Sequence, residues 1–168
     1  MSILIADSDP DQLALYSDIL RHAGYQTHTA GRADTALRVA RVHRPAVVVT
    51  EIVLTGSNGF EVVRAIRRDP GTAAVPVVVL TWRGTASHRR EAEQAGCSGY
   101  LVKPSTPRWL LQEIRWQLQH SIRVQQDPAF GSRLRPETAA SRSSRIVDIA
   151  GTGGSFLERV GQSVTRTA

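Results

Sequence analysis

Residues 46–50, AVVVT, and residues 75–80, VPVVVL, decide the fold. Both are β-branched runs with hardly a polar residue, the pattern of strands covered on both faces and hence of a parallel sheet. Working outward, Ser2–Ala6 (SILIA) and Tyr100–Val102 (YLV) are two more apolar runs, and Tyr25–Thr29 alternates and carries His28, as suits an edge strand. Helix-length segments lie between these runs. Asp9 can cap a helix with Pro10 in its first turn, Leu13, Tyr16 and Leu20 form one stripe, and Gly24 ends it. Pro45 stops a second helix and Pro70 a third. Strand and helix alternate five times, which predicts an α/β fold with an open, doubly wound, five-stranded parallel sheet.

Composition agrees with one such domain. The chain has 168 residues, 41% hydrophobic and 21% charged, enough apolar content for a packed core. No stretch approaches the roughly 18 consecutive apolar residues of a membrane span. The opening MSILIADSDPD carries three aspartates and does not read as a signal peptide. A single cysteine, Cys97, cannot form an internal disulfide or a thiolate metal cage. A cytoplasmic setting without membrane contact is expected. The net charge of +6 comes from 20 arginines and one lysine, Lys103, against 15 acids. Residues 1–120 hold 14 basic and 11 acidic side chains, and residues 121–168 hold 7 and 4, so each part carries +3. No long basic run occurs, and the plain reading is a solvated arginine-rich surface rather than a nucleic-acid footprint.

A helix expected near Thr106–Ile122 places Leu110, Leu111, Ile114 and Leu118 on one face at 100° per residue. Trp109 and Trp116 point almost the opposite way, which suggests a contact surface or cover by another part of the chain. Beyond residue 123 the sequence is polar and aperiodic and is expected to be largely disordered. Near its end, Ser155 and Glu158 have capping-box spacing before Phe156, Leu157, Val160 and Val164, a candidate short helix around residues 155–164.

Sites in open parallel sheets form beyond the carboxyl ends of the strands. The residue just past each apolar run is Asp7, Glu51, Thr81 or Lys103. Two carboxylates, a hydroxyl and the chain's only lysine should therefore converge at one edge.

At these residues the sequence resembles the receiver domain of bacterial response regulators. ILIADSDPD is similar to that family's acidic opening, and VVVTEIVLTGSNGFEVVRAIRRDP to its phosphoacceptor strand, loop and helix. PVVVLTW is similar to its threonine strand, and AGCSGYLVKP to its lysine-proline segment. The resemblance covers residues 1–122 and leaves 123–168 as a basic tail. It implies strand order 2-1-3-4-5 and a cis peptide at Lys103-Pro104. It also implies a pocket in which an aspartate accepts a phosphoryl group from a histidine kinase beside Mg²⁺.

Lys103, Thr81, Tyr100 and Asp7 match the family pattern. Ser8 stands where the second metal-binding acid belongs, Glu51 where the phosphoacceptor aspartate belongs, Trp82 at a usually small position, and Thr55 in place of the loop proline. Mg²⁺ demands near-ideal octahedral geometry, and Ser8 removes a ligating carboxylate. The extra methylene of Glu51 displaces its carboxylate, and about 1 Å of misplacement costs around 10²-fold. Asp7, Glu51 and Lys103 sum to −1, against −2 for three acids and a lysine. A Glu51–Lys103 pair at 4 Å would be worth about 4 kcal/mol before desolvation at an effective dielectric near 20.

The expectation is a receiver acting through protein contacts and not by ordinary aspartyl phosphorylation, with Glu51 partly mimicking phosphate and holding one conformation of a Thr81–Tyr100 switch. No cofactor is expected; Mg²⁺ is disfavoured and would fall to Asp7 and Glu51. Trp82, Tyr100, Trp109 and Trp116 are the candidate surface for a histidine kinase, a downstream signalling protein or a second copy. Nucleic-acid binding by the basic tail is the alternative. An enzyme is not expected: the five histidines are scattered without metal spacing, and no Walker A or GxGxxG pattern occurs.

Overall fold

The structure, a computed structural model, describes residues 1–126. The last helix continues through Gln126, so residues 123–126 of the expected disordered tail are helical; the rest of that tail and its candidate helix near 155–164 lie outside the described residues. The elements run β1 (Ser2–Ala6), α1 (Pro10–His22), β2 (Gln26–Ala30), α2 (Ala33–His43), β3 (Val47–Thr50), β4 (Val53–Leu54), β5 (Ser57–Asn58), α3 (Gly59–Arg68), β6 (Val77–Thr81), α4 (Ala86–Ala95), β7 (Gly99–Val102) and α5 (Pro107–Gln126). Five strands form one sheet in the order β2-β1-β3-β6-β7. All of its pairs are parallel, so counting only these strands gives the expected 2-1-3-4-5.

Ends shift for local reasons. Tyr25 closes the turn after α1 by donating its N–H to the Leu20 carbonyl (3.0 Å), so β2 starts one residue later than the alternation suggested. Pro76 has no N–H for a ladder and contributes only its carbonyl, to Val48 (2.9 Å), and β6 begins at Val77. The short antiparallel pair β4–β5 was not expected. It turns through Thr55 and Gly56, and Gly56 has a φ of +91°, which favours glycine.

Helices cover both faces of the sheet. One core joins Leu4, Val48 and Val79 to Phe60, Val63 and Ile66 of α3 and to the alanines of α2. The other joins Ile3, Val49, Val78 and Leu80 to Tyr16 and Leu20 of α1 and to Leu110, Ile114 and Leu118 of α5. Side chains alternate between these layers along each strand, which is why the runs are apolar throughout. Asp9 caps α1 as its sequence suggests, accepting from the N–H groups of Asp11 and Gln12 with Pro10 in the first turn. The peptide between Lys103 and Pro104 is cis. On α5 the two indoles are half-buried rather than fully outward, and the Trp116 ring stacks on His120 of the same helix with centroids 3.7 Å apart. No helix among the described residues is long and apolar enough to cross a membrane.

Candidate functional site

Parallel strands bring their carboxyl ends to one edge. The register sets Ala6 beside Thr50 and Thr81 beside Val102, so the next residues, Asp7, Glu51 and Lys103, meet around Thr81. Together with Ser8 they line a cleft of about 480 Å³. Trp82, Arg83 and Val53 form part of its wall.

Lys103 organises the floor. Its Nζ donates to Asp7 Oδ2 at 2.6 Å and lies 3.2 Å from Glu51 Oε2. All three side chains are almost wholly buried. The ammonium also lies 5.6 Å from the Tyr16 ring centroid and 5.9 Å from that of Trp82, within cation–π range. Burial works against the charged form of Lys103. The bond and attraction to Asp7, followed by attraction to Glu51, outweigh it and hold the pKa above the ordinary lysine value.

The remaining oxygens have partners too. Asp7 Oδ1 accepts from Asp9 N at 3.0 Å. Glu51 Oε1 curls back on its own backbone, accepting from Ile52 N at 2.6 Å and more distantly from Val53 N at 3.5 Å. Ser8 Oγ accepts from Thr55 N at 2.6 Å and donates to the Gly31 carbonyl at 3.2 Å. Gly59 is required beside this floor. A Cβ there would fall 2.1 Å from the Glu51 carbonyl oxygen, so only glycine lets α3 start so close.

The opposite wall is held through the backbone of one residue. Thr81 Oγ1 accepts from Arg83 N at 3.2 Å, and the Tyr100 hydroxyl donates to the Arg83 carbonyl at 2.5 Å. Tyr100 is 1% exposed, and burial pushes its hydroxyl pKa up to about 12. Trp82, in contrast, is 61% exposed.

These donors do not suit Mg²⁺. Two carboxylates already share an ammonium, and the hydroxyl at the third position is engaged with two backbone groups. An octahedral ion would have to share both carboxylates with Lys103. Among the described residues no group of three His, Cys, Asp or Glu gathers to hold a metal.

Asp7, Ser8, Glu51, Thr81, Lys103 and Trp82 therefore share one cleft. Tyr100 reaches it indirectly through Arg83, while Trp109 and Trp116 lie on α5 and do not line it. No hydrogen bond joins Glu51 to Thr81 among the described residues; the glutamate reaches the lysine and its own backbone instead. Sequence reasoning missed the backbone of Arg83, the Gly31 carbonyl, and Tyr16 as a wall for Lys103. Tyr16 was legible only as a core position of α1.

Known proteins share this arrangement of elements. The family model for the response regulator receiver domain matches residues 3–115. The DNA-binding response regulator MtrA of Mycolicibacterium smegmatis is 32% identical over 119 residues, which cover 71% of this chain and 51% of MtrA. Protein PilH of Pseudomonas aeruginosa is 31% identical over 112 residues, 67% of this chain and 93% of PilH. The solved chemotaxis protein CheY4 of Vibrio cholerae superposes with a TM-score of 0.67 and 29% identity, covering 70% of this chain and 98% of that one. The chain thus spans about half the length of MtrA and nearly all of the two smaller proteins. It belongs to the response regulator receiver family of two-component signalling.

Proposed function

We propose that this receiver, residues 1–122, works through protein contacts without being switched by ordinary aspartyl phosphorylation. The observation that carries this reading is the Glu51 carboxylate, at the position where the resemblance places an aspartate, held by Ile52 N at 2.6 Å and by Lys103 Nζ at 3.2 Å. Phosphoryl transfer to a carboxylate needs an in-line, unencumbered oxygen and a cation to neutralise developing charge. Here the nearest carboxylate is one methylene too long, hydrogen-bonded to Ile52 N, and already paired with an ammonium.

The Thr81–Arg83–Tyr100 wall is held by its own hydrogen bonds to the backbone of Arg83. Its resident conformation is the one offered to partners, which would be a histidine kinase, a downstream signalling protein or a second copy. Trp82, which is exposed, and the half-buried Trp109 and Trp116 are the residues assigned to that surface; Tyr100, expected there too, is buried and acts behind it through the Arg83 carbonyl. The partial phosphate mimicry expected of Glu51 is narrowed to its contact with Lys103.

Incubation with acetyl phosphate or a histidine kinase in Mg²⁺, followed by intact-mass analysis, tests the reading. The unmodified mass is expected. A stable, Mg²⁺-dependent phosphoryl adduct on Glu51 or Asp7 would overturn it.

A second reading draws on MtrA, which is described as DNA-binding, and on the seven arginines of residues 121–168. In it the basic tail binds nucleic acid. Duplex titrations at two salt concentrations separate the two, because phosphate contacts give steep salt dependence.

A further inference from the structure

Two departures from the receiver pattern, far apart in sequence, meet in space. Ser8 replaces an acid after β1, and Thr55 replaces the usual proline in the loop after β3. Thr55 donates its backbone N–H to Ser8 Oγ at 2.6 Å. A proline at residue 55 would have no N–H to give. The same hydroxyl gives its proton to the Gly31 carbonyl at 3.2 Å. A serine hydroxyl can accept and donate together, whereas an ionised carboxylate only accepts and would repel that carbonyl. Thr55 is tied on its other side as well: its carbonyl accepts from Ala33 N at 3.1 Å, and it forms an isolated parallel bridge with Arg32.

We propose that Ser8 is a positioning residue whose hydroxyl clasps the loops after β1, β2 and β3 together, and that this clasp closes the acidic side of the cleft to a divalent cation. The proposal rests on the reading above that the cleft does not take Mg²⁺, and it assigns the cause. Glu51 and Asp7 still have lone pairs directed away from Lys103, since each carboxylate offers about four acceptor positions. At the third ligand position, while Ser8 holds Thr55 and Gly31, only one uncharged lone pair is left, in place of the charged oxygens an acid would turn toward the ion. The serine, more than the added methylene of Glu51, then sets the refusal. Because Ser8 and Thr55 are both exposed, the clasp acts on local opening of the loop and contributes little to global stability.

The test pairs hydrogen exchange at the Thr55 amide with a Mg²⁺ titration followed by tryptophan fluorescence, using the whole chain. Ser8→Ala is expected to speed Thr55 exchange by about tenfold, the scale of one lost hydrogen bond, while the amides of β3 stay protected. Ser8→Thr, which keeps the hydroxyl, should exchange as the unaltered chain does. Ser8→Asp breaks the clasp and adds an acid, and it should bind Mg²⁺ where the unaltered chain and Glu51→Asp do not. Unchanged Thr55 exchange in Ser8→Ala would overturn the clasp and leave the closed-cleft reading standing. Mg²⁺ binding by Glu51→Asp but not by Ser8→Asp would overturn the assignment to Ser8. Mg²⁺ binding by the unaltered chain would overturn the underlying reading itself.

Discussion

The two sides of the cleft are built from the same sheet edge but hold together differently. On the acidic side, charge is balanced by charge: Lys103 bridges Asp7 and Glu51 away from water. On the other side, Thr81 and Tyr100 both grip the backbone of Arg83, one at its N–H and one at its carbonyl. The proposed departures, Ser8 and Glu51, both fall on the acidic side, and Thr81 and Tyr100 on the other. The contrast teaches that one sheet edge can be held by buried charge on one wall and by grips on a single backbone residue on the other. A buried charge cluster tolerates a changed member only if the remaining charges still find partners, and here they do.

The comparison breaks most readily at the lysine. Lys103→Met keeps most of the volume and removes the cation, leaving two buried carboxylates facing each other. A loss of about 3–5 kcal/mol in urea unfolding is expected, because an uncompensated buried charge is far costlier than a missing pair. A loss under about 1 kcal/mol, the size of an exposed pair, would mean the cluster is not the organising contact.

Gly59→Ala comes next. The new methyl would press on the Glu51 carbonyl oxygen at 2.1 Å, and forced movement of the floor should cost about 1–3 kcal/mol in the same assay.

Tyr100→Phe sharpens the other side, with a smaller expected loss of about 1 kcal/mol for one hydrogen bond at neutral pH. The alkaline limb separates the two walls further. Lys103 has a folded pKa raised above its ordinary 10.5, so its contribution is full below that value and is lost as pH climbs through the raised one. Tyr100, raised from 10.0 to about 12, contributes in the same direction: its stability is present below pH 10 and disappears as the pH approaches 12. Urea midpoints measured from neutral to strongly alkaline pH should fall for the unaltered chain, less for Tyr100→Phe, and least when both groups are replaced.

Much of this was legible in the sequence, for specific reasons. AVVVT and VPVVVL read as buried strands because both of their faces meet helices. Asp7, Glu51, Thr81 and Lys103 were found because each follows such a run, and parallel strands must end together. What was not legible depends on backbone groups, which every residue possesses and none advertises. The grip on Arg83, the carbonyl of Gly31 and the N–H of Thr55 are of this kind. The β4–β5 pair was missed although Gly56 marks its turn, since two-residue strands carry no period. On α5 the angle count assigned Leu110, Ile114 and Leu118 to the core correctly, but it gave the indoles too much solvent. A helical wheel shows direction from the axis and not what neighbouring elements supply.

The central proposal is that the cleft, with Asp7 and Glu51 shared by Lys103 and Ser8 tied to Thr55 and Gly31, takes up neither a divalent ion nor a phosphoryl group. A crystal structure of the full chain grown with Mg²⁺ and beryllofluoride, a phosphoryl mimic, examines the cleft directly. The account predicts Lys103 Nζ still shared by Asp7 and Glu51, with neither Mg²⁺ nor beryllofluoride bound. An octahedral Mg²⁺ held by Asp7 and Glu51, with Lys103 turned away, would contradict it.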